Sequence, residues 1–399
     1  MKVCDVTQLY SPISGGVKRY LEDKMAFLAA AGVEHVLIVP GEEERATLRH
    51  ATRIYEVPSP RLPGSASYRA LLRRARLLSI LESERPDLIE AGDAYRGAWI
   101  ALEAAGMLGI PVVGFYHSDL PRGLTGRLGD HARTARLATR ALERYVAGLY
   151  NRMAATVVAS RAVAARLREM GVERVAHIPL GTDTSRFRPS PRAAAVRREL
   201  GLAGGDRLLL FVGRLAPEKN PEALLGLIAT LAGQEGAGRC HLLAVGDGEA
   251  RPAFVEAAAR RGDVSWWPYC DATERLCDVY SAADLMVHPG TSETFGLTAL
   301  EAQACGTPVL AVRGGGLDEA VAPEERFRWP ESPEPGALAA AAARVLAEEG
   351  PWGAGRSQRR ERRRRTILET LSIDRTFARL LDLYGRLTQS AAHRRMVER

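Results

Sequence analysis

A chain of 399 residues is longer than one hydrophobic core usually organises, so two domains of roughly 150 to 200 residues each are expected. Its 46% hydrophobic and 26% charged residues form an ordinary globular composition. The most apolar stretch, residues 99–116, is broken by Glu103, Gly106, Gly109 and Pro111 and is too short to span a bilayer. The opening MKVCDVTQLYSPISGG carries Asp5 inside its first apolar run, which fits a buried strand and not a signal peptide. Five scattered cysteines, Cys4, Cys240, Cys270, Cys277 and Cys305, are expected as buried thiols of a reducing cytoplasm, with no disulfide and no zinc site. A net charge of +7 suits an anionic partner such as a nucleotide diphosphate, an acidic membrane surface or nucleic acid, and equally suits plain compositional drift.

Along the chain, short β-branched runs alternate with longer helical stretches, the pattern of parallel sheets covered by helices on both faces. Strands are expected at residues 2–7, 35–40, 53–57, 87–91, 111–116, 156–159 and 175–178. Residues 183–202, rich in Pro, Arg and Ala, are expected as a linker between a domain at 1–185 and another at 190–371. Strands resume at 207–213, 240–246, 264–269, 285–289, 308–312 and 327–329. From Gly355 the chain is expected to be helical, with an Arg-dense run at 356–365 that fits a solvated face. A final helix at 372–390 carries an apolar stripe of Phe377, Leu380, Leu381 and Tyr384. Residues 69–78 mix Arg69, Arg73, Arg74 and Arg76 with Leu71, Leu72, Leu77 and Leu78, an amphipathic pattern that fits either a solvated helix or contact with an anionic membrane.

Two doubly wound units place ligands at the carboxyl ends of their strands, so motifs should follow strands. In SPISGGVKRY, Gly15 and Gly16 admit close backbone approach at a helix amino terminus that favours phosphate. In LLLFVGRLAPEKNPEALL, a strand ends at Gly213, and Arg214 and Lys219 straddle the following loop as two cations for one diphosphate. The alternative for that loop is a surface turn with a Glu218 and Lys219 charge pair. In ADLMVHPGTSETFGLTALEAQACGTPVLA, Glu293 and Thr294 lie in a turn, and the amides of Phe295, Gly296 and Leu297 open a helix. Glu301 follows Glu293 by about two helical turns, and paired carboxylates suit hydroxyl-rich ligands such as a sugar and a ribose. The bland alternative makes Glu293 a cap and Glu301 a solvated residue, but the apolar neighbours of Glu301 favour a partner.

Over essentially its whole length the chain resembles family 4 of the retaining glycosyltransferases. The resemblance rests on SETFGLTALEAQACGTPVLA, supported by VGRLAPEKN, ISGG and AVGDGE with Gly246. It implies the GT-B fold, two Rossmann-like domains facing a cleft, and transfer with retention without a covalent carboxylate intermediate. It further implies that Glu293 binds donor-sugar hydroxyls, Glu301 the ribose, and Arg214 and Lys219 the diphosphate. Gly16 matches the glycine whose amide approaches that diphosphate, and His117 the histidine placed over the donor sugar. Thr182, Gln303 and Arg375 depart from the family pattern.

The expected function is hexosyl transfer from a UDP-, GDP- or ADP-sugar to an unidentified lipid, polyol or glycan in the cytoplasm. No cofactor and no metal are expected, because no Asp-x-Asp motif stands at a strand end and two cations take an ion's place. The alternative is a nucleotide-sugar epimerase or hydrolase on the same plan. Nucleic-acid binding is not expected, for lack of a recognition motif.

Overall fold

The computed structural model describes residues 1–10, 15–62, 68–121, 132–233, 239–270, 272–326, 329–350 and 357–397. Residues 11–14 of the SPISGG motif, Gly355, Arg356 and the first two residues of the strand expected at 327–329 lie outside them. The chain divides into two compact units, Met1–Ile178 with Thr376–Arg399, and Pro179–Arg375.

The first unit holds an eight-stranded sheet: β1 (Lys2–Val6), β2 (Glu34–Gly41), β3 (Arg45–Arg49), β4 (Thr52–Pro58), β5 (Leu88–Ala91), β6 (Val112–Phe115), β7 (Ala155–Val158) and β8 (Val175–His177). Their order is β3-β4-β2-β1-β5-β6-β7-β8, and every pairing is parallel except β3 with β4. Helices cover the parallel strands, which explains runs such as LIEA and ATVV that are buried throughout. The strand that sequence reading missed is β3, whose RATLR is mostly exposed and lacks an apolar run. As an antiparallel edge it needs only one paired side and tolerates charge.

One charge cluster is set by register. Asp5 on β1 stands opposite Glu90 on β5, two carboxylates side by side within a buried sheet. Lys24, from the helix Gly16–Ala30, answers both, with Nζ 2.8 Å from Asp5 and 3.0 Å from Glu90. Burial pushes the Asp5 carboxyl upward, but Lys24 and His35 outweigh it and hold it at about 2. The carboxyl of Glu90, desolvated and beside Asp5, is raised. Tyr384 of the last helix, Ile373–Val397, donates to Glu90 and accepts from Lys24 at 3.0 Å, so the cluster anchors that helix. Phe377 packs on Tyr20 and Phe27, while Arg375 is exposed and takes no part.

The second unit holds β9 (Arg207–Val212), β10 (Cys240–Val245), β11 (Val264–Trp267), β12 (Leu285–His288) and β13 (Val309–Ala311). All are parallel in the order β11-β10-β9-β12-β13, the doubly wound arrangement whose switch point falls between β9 and β12. Trp329, expected in a strand, lies outside any.

Three expectations change. Residues 183–202 fold into the second unit: Arg197, on the helix Ala193–Glu199, pairs with Asp284 at 2.8 Å, both buried. Within the Arg-dense run, the helix Ser357–Thr370 is not uniformly solvated. Arg363 is buried between Glu325 and Glu349, Arg360 donates to Ser281 O and Cys305 O, and Arg364 donates to Thr184 O, Phe187 O and Ala304 O. Those three arginines are engaged inside the fold, while Arg359, Arg362 and Arg365 of the same run are exposed. Finally, the helix expected at 69–78 begins only at Arg74, and Leu71, Leu77 and Leu78 are buried in the core. Arg69, Arg74 and Arg76 pair with Glu42, Glu103 and Glu44, and of the four leucines of this segment Leu72 alone is exposed.

No helix among the described residues is long and apolar enough to cross a membrane. All five cysteines are free thiols, four of them buried.

Candidate functional site

In the second unit the sequence-selected residues lie in the loops leaving β9, β10 and β12 and on the helix Leu297–Ala304 that follows β12, around the switch point. Gly213 N donates to Val245 O at 3.0 Å and Leu215 N to Asp247 O at 2.9 Å, so the loops after β9 and β10 run against each other backbone to backbone. This contact dictates glycine at 246. Its φ is +144°, and a Cβ there would stand 1.9 Å from Gly213 O. No other residue type satisfies both conditions.

After β9, a 3-10 turn Pro217–Lys219 aims Lys219 at Glu293, and the two side chains form an ion pair with 17% and 15% exposure. The turn rests on the loop after β12, since a Cβ on Gly290 would lie 3.1 Å from Lys219 Cα. His288, the last residue of β12, places Nε2 3.3 Å from the same carboxylate oxygen, Oε2 of Glu293. Burial pushes the Glu293 carboxyl up, but Lys219 and His288 together bring it well below the usual carboxylate range. It is therefore an anion at any working pH, with Oε1 taking no hydrogen bond or ion pair from the described residues.

Arg214 lies in the loop after β9. Its partner is Glu218, at 2.8 Å, and its side chain is 60% exposed. The charge pair in this loop is thus Arg214 with Glu218, not Glu218 with Lys219, and Arg214 can turn to a ligand at little cost.

Gly296, with φ of +98°, caps the helix Leu297–Ala304 without any side-chain cap, following Thr294 and Phe295 in the turn. Glu301 is buried on that helix and accepts a 2.7 Å hydrogen bond from Tyr280 Oη. The solvated alternative for Glu301 therefore fails, and the partner its apolar neighbours demanded includes a tyrosine from the helix Thr273–Ala282. Gln303, where the family pattern differs, donates to Ala299 O and Ala320 O at 2.9 and 2.6 Å.

In the first unit, Gly15 caps the helix Gly16–Ala30, again without a side-chain cap, and a Cβ at Gly15 would meet nothing within 4 Å. One turn into that helix, Tyr20 meets His117 edge-on at 5.0 Å between centroids. His117, after β6, stacks on Phe115 at 4.0 Å. Desolvation, then Lys24, pushes its pKa down to about 3, so the imidazole is neutral. Gly16 and His117, 101 residues apart in sequence, thus share one edge of the sheet.

Sequence reasoning missed His288 and Tyr280. The histidine had a usable signal, a polar residue closing the buried LMVH strand one loop before Glu293. Tyr280 had none, since a tyrosine in an amphipathic helix looks like core.

Two doubly wound sheets, the second with glycine, cation and carboxylate at its switch point, are the architecture of GT-B glycosyltransferases. The family described as Glycosyl transferases group 1 matches residues 193–366, and Glycosyltransferase Family 4 matches residues 14–186. A GDP-mannose-dependent alpha-mannosyltransferase of Mycobacterium tuberculosis is 31% identical over 334 residues, covering 81% of this chain and 82% of that one. A GDP-mannose-dependent alpha-(1-6)-phosphatidylinositol dimannoside mannosyltransferase of the same species is 30% identical over 397 residues, covering 98% and 97%. Among solved structures, sucrose-phosphate synthase from Thermosynechococcus elongatus superposes with a TM-score of 0.77 at 22% identity, covering 98% of this chain and 99% of that one. The chain belongs to glycosyltransferase family 4 and is a nucleotide-sugar-dependent glycosyltransferase.

Proposed function

We propose that this protein transfers a hexosyl group, with retention, from a nucleoside-diphosphate sugar to a hydroxyl of a lipid headgroup, polyol or glycan. The anomeric C–O bond to the β-phosphate breaks with its electron pair going to the diphosphate. The acceptor oxygen bonds to that carbon and gives up its proton to the departing diphosphate. The observation that carries the reading is the Lys219 and Glu293 pair at the switch point, a cation for the departing diphosphate beside a carboxylate with one oxygen available for sugar hydroxyls. Arg214 adds a second, mobile cation, Glu301 takes the ribose, and the backbone amides that open the helix Leu297–Ala304 complete the donor contacts. In the first unit, Gly16 and neutral His117 are the residues proposed for donor contact, on the strength of the family resemblance. GDP-mannose is the donor to try first, supported by the two mycobacterial relatives named for it. Five free thiols support a reducing cytoplasm as the site of action.

Thermal-shift titration with GDP, UDP, ADP and their sugars tests the donor, because a ligand of the folded state raises its melting temperature. A shift with one nucleotide series is expected, and no shift with any overturns the reading. Acceptor-dependent nucleotide release separates transfer from epimerase or hydrolase chemistry. We also propose that the cations act without a metal, so EDTA should leave turnover unchanged. Loss of turnover restored by magnesium or manganese refutes this.

A further inference from the structure

We propose that His288 is a positioning residue for Glu293: its Nε2–H holds Oε2, so that Oε1 is presented to the donor sugar. The inference deepens the donor reading above and rests on it. Two cationic or donor groups converge on Oε2, Lys219 and His288, and none of the described residues engages Oε1. The two holders differ in kind. An ammonium on a flexible stem is a point charge with rotatable donors, and the diphosphate competes for it. The imidazole is planar, fixed at the end of β12, and only 3% exposed.

Its ring has little room to swing. The Phe211 ring lies 6.2 Å from it, and a Cβ added to Gly290 would stand 3.0 Å from His288 Cε1. The second nitrogen fixes the tautomer. Nδ1 is buried and has no hydrogen-bond partner. A proton there would be a buried donor with nothing to receive it, whereas a bare lone pair costs less. The proton therefore sits on Nε2, where it donates to Glu293. When the diphosphate draws Lys219 away, this bond alone keeps the carboxylate oriented as charge develops on the sugar.

The test compares His288→Val, His288→Gln and Glu293→Gln. For each, GDP release from GDP-mannose into water gives kcat, calorimetry gives GDP affinity, and a melting curve reports folding. His288→Val should lower kcat about tenfold or more while GDP affinity stays within about twofold, the loss expected for one charge-assisted hydrogen bond. His288→Gln, whose amide N–H reaches the Nε2 position, should restore most of the rate. Wild-type kcat in His288→Val, a Gln variant as slow as Val, or parallel loss of GDP affinity overturns the proposal. Unchanged turnover in Glu293→Gln sinks the donor reading itself, so the two failures are distinguishable. Nitrogen NMR of histidine-labelled wild-type protein, assigned with the Gln variant, needs no donor and no mutant stability. It should show the Nε2–H tautomer at His288, and an Nδ1–H tautomer refutes the assignment.

Discussion

Tyr280 Oη donates a 2.7 Å hydrogen bond to Oε2 of Glu301, and both side chains are buried. A carboxylate away from water is tolerable only with such a partner. The bond joins the helix Thr273–Ala282 to the helix Leu297–Ala304 that Gly296 opens.

If Glu301 holds the ribose and Glu293 the sugar, their losses should separate. Glu301→Gln should weaken GDP binding by about tenfold to a hundredfold and change kcat at saturation less, the effect of one charge-assisted hydrogen bond. Tyr280→Phe should act in the same direction and less strongly. Glu293→Gln should lower kcat while GDP binds nearly as before. Calorimetry beside steady-state kinetics decides, and equal weakening of GDP by both glutamate variants refutes the division.

Gly246→Ala places a methyl against Gly213 O in a backbone conformation that alanine avoids, so it should cost about 2–5 kcal/mol of stability and GDP binding with it. Gly15→Ala meets nothing within 4 Å and should leave the melting temperature alone. If the donor approaches Gly15, that variant still loses affinity. A Gly246→Ala protein as stable as wild type would contradict the crowding.

His117 titrates in the unfolded chain near its ordinary 6.5 but in the folded protein only at about 3. Between those values the unfolded state binds the extra proton. The stability contributed above pH 6.5 is therefore lost as pH falls toward 3. From pH 7.5 to 5, wild type should lose roughly 1–2 kcal/mol more than His117→Gln in urea unfolding. Identical pH dependence in the two proteins would show that the imidazole is solvated. The activity profile should also lack an inflection from this residue near neutrality.

Arg363 is sandwiched by Glu325 and Glu349, all three nearly inaccessible. Arg363→Ala removes the cation that the two buried carboxylates share and should cost about 3–5 kcal/mol. The exposed Arg362, one position earlier, should tolerate alanine within about 0.5 kcal/mol. Denaturant midpoints compare the two, and a similar small cost for both would return the whole run to the solvated surface.

The sequence by itself determined the two parallel sheets, because strands buried on both faces must be continuous apolar runs, and LIEA, ATVV and LMVH declare themselves. It also marked the functional loops, since glycines, cations and carboxylates just after such strands have few structural uses. The exposed edge strand Arg45–Arg49 escaped, having no apolar run to read. Charge partners escaped too. That Arg363 is buried, that Arg214 turns to Glu218 while Lys219 turns to Glu293, and that His288 and Tyr280 hold the two glutamates depends on which side chains the sheet order and helix packing bring within about 3 Å. Coulomb and hydrogen-bond energies act at that range, between residues up to 74 positions apart in this site, and only the tertiary structure decided them.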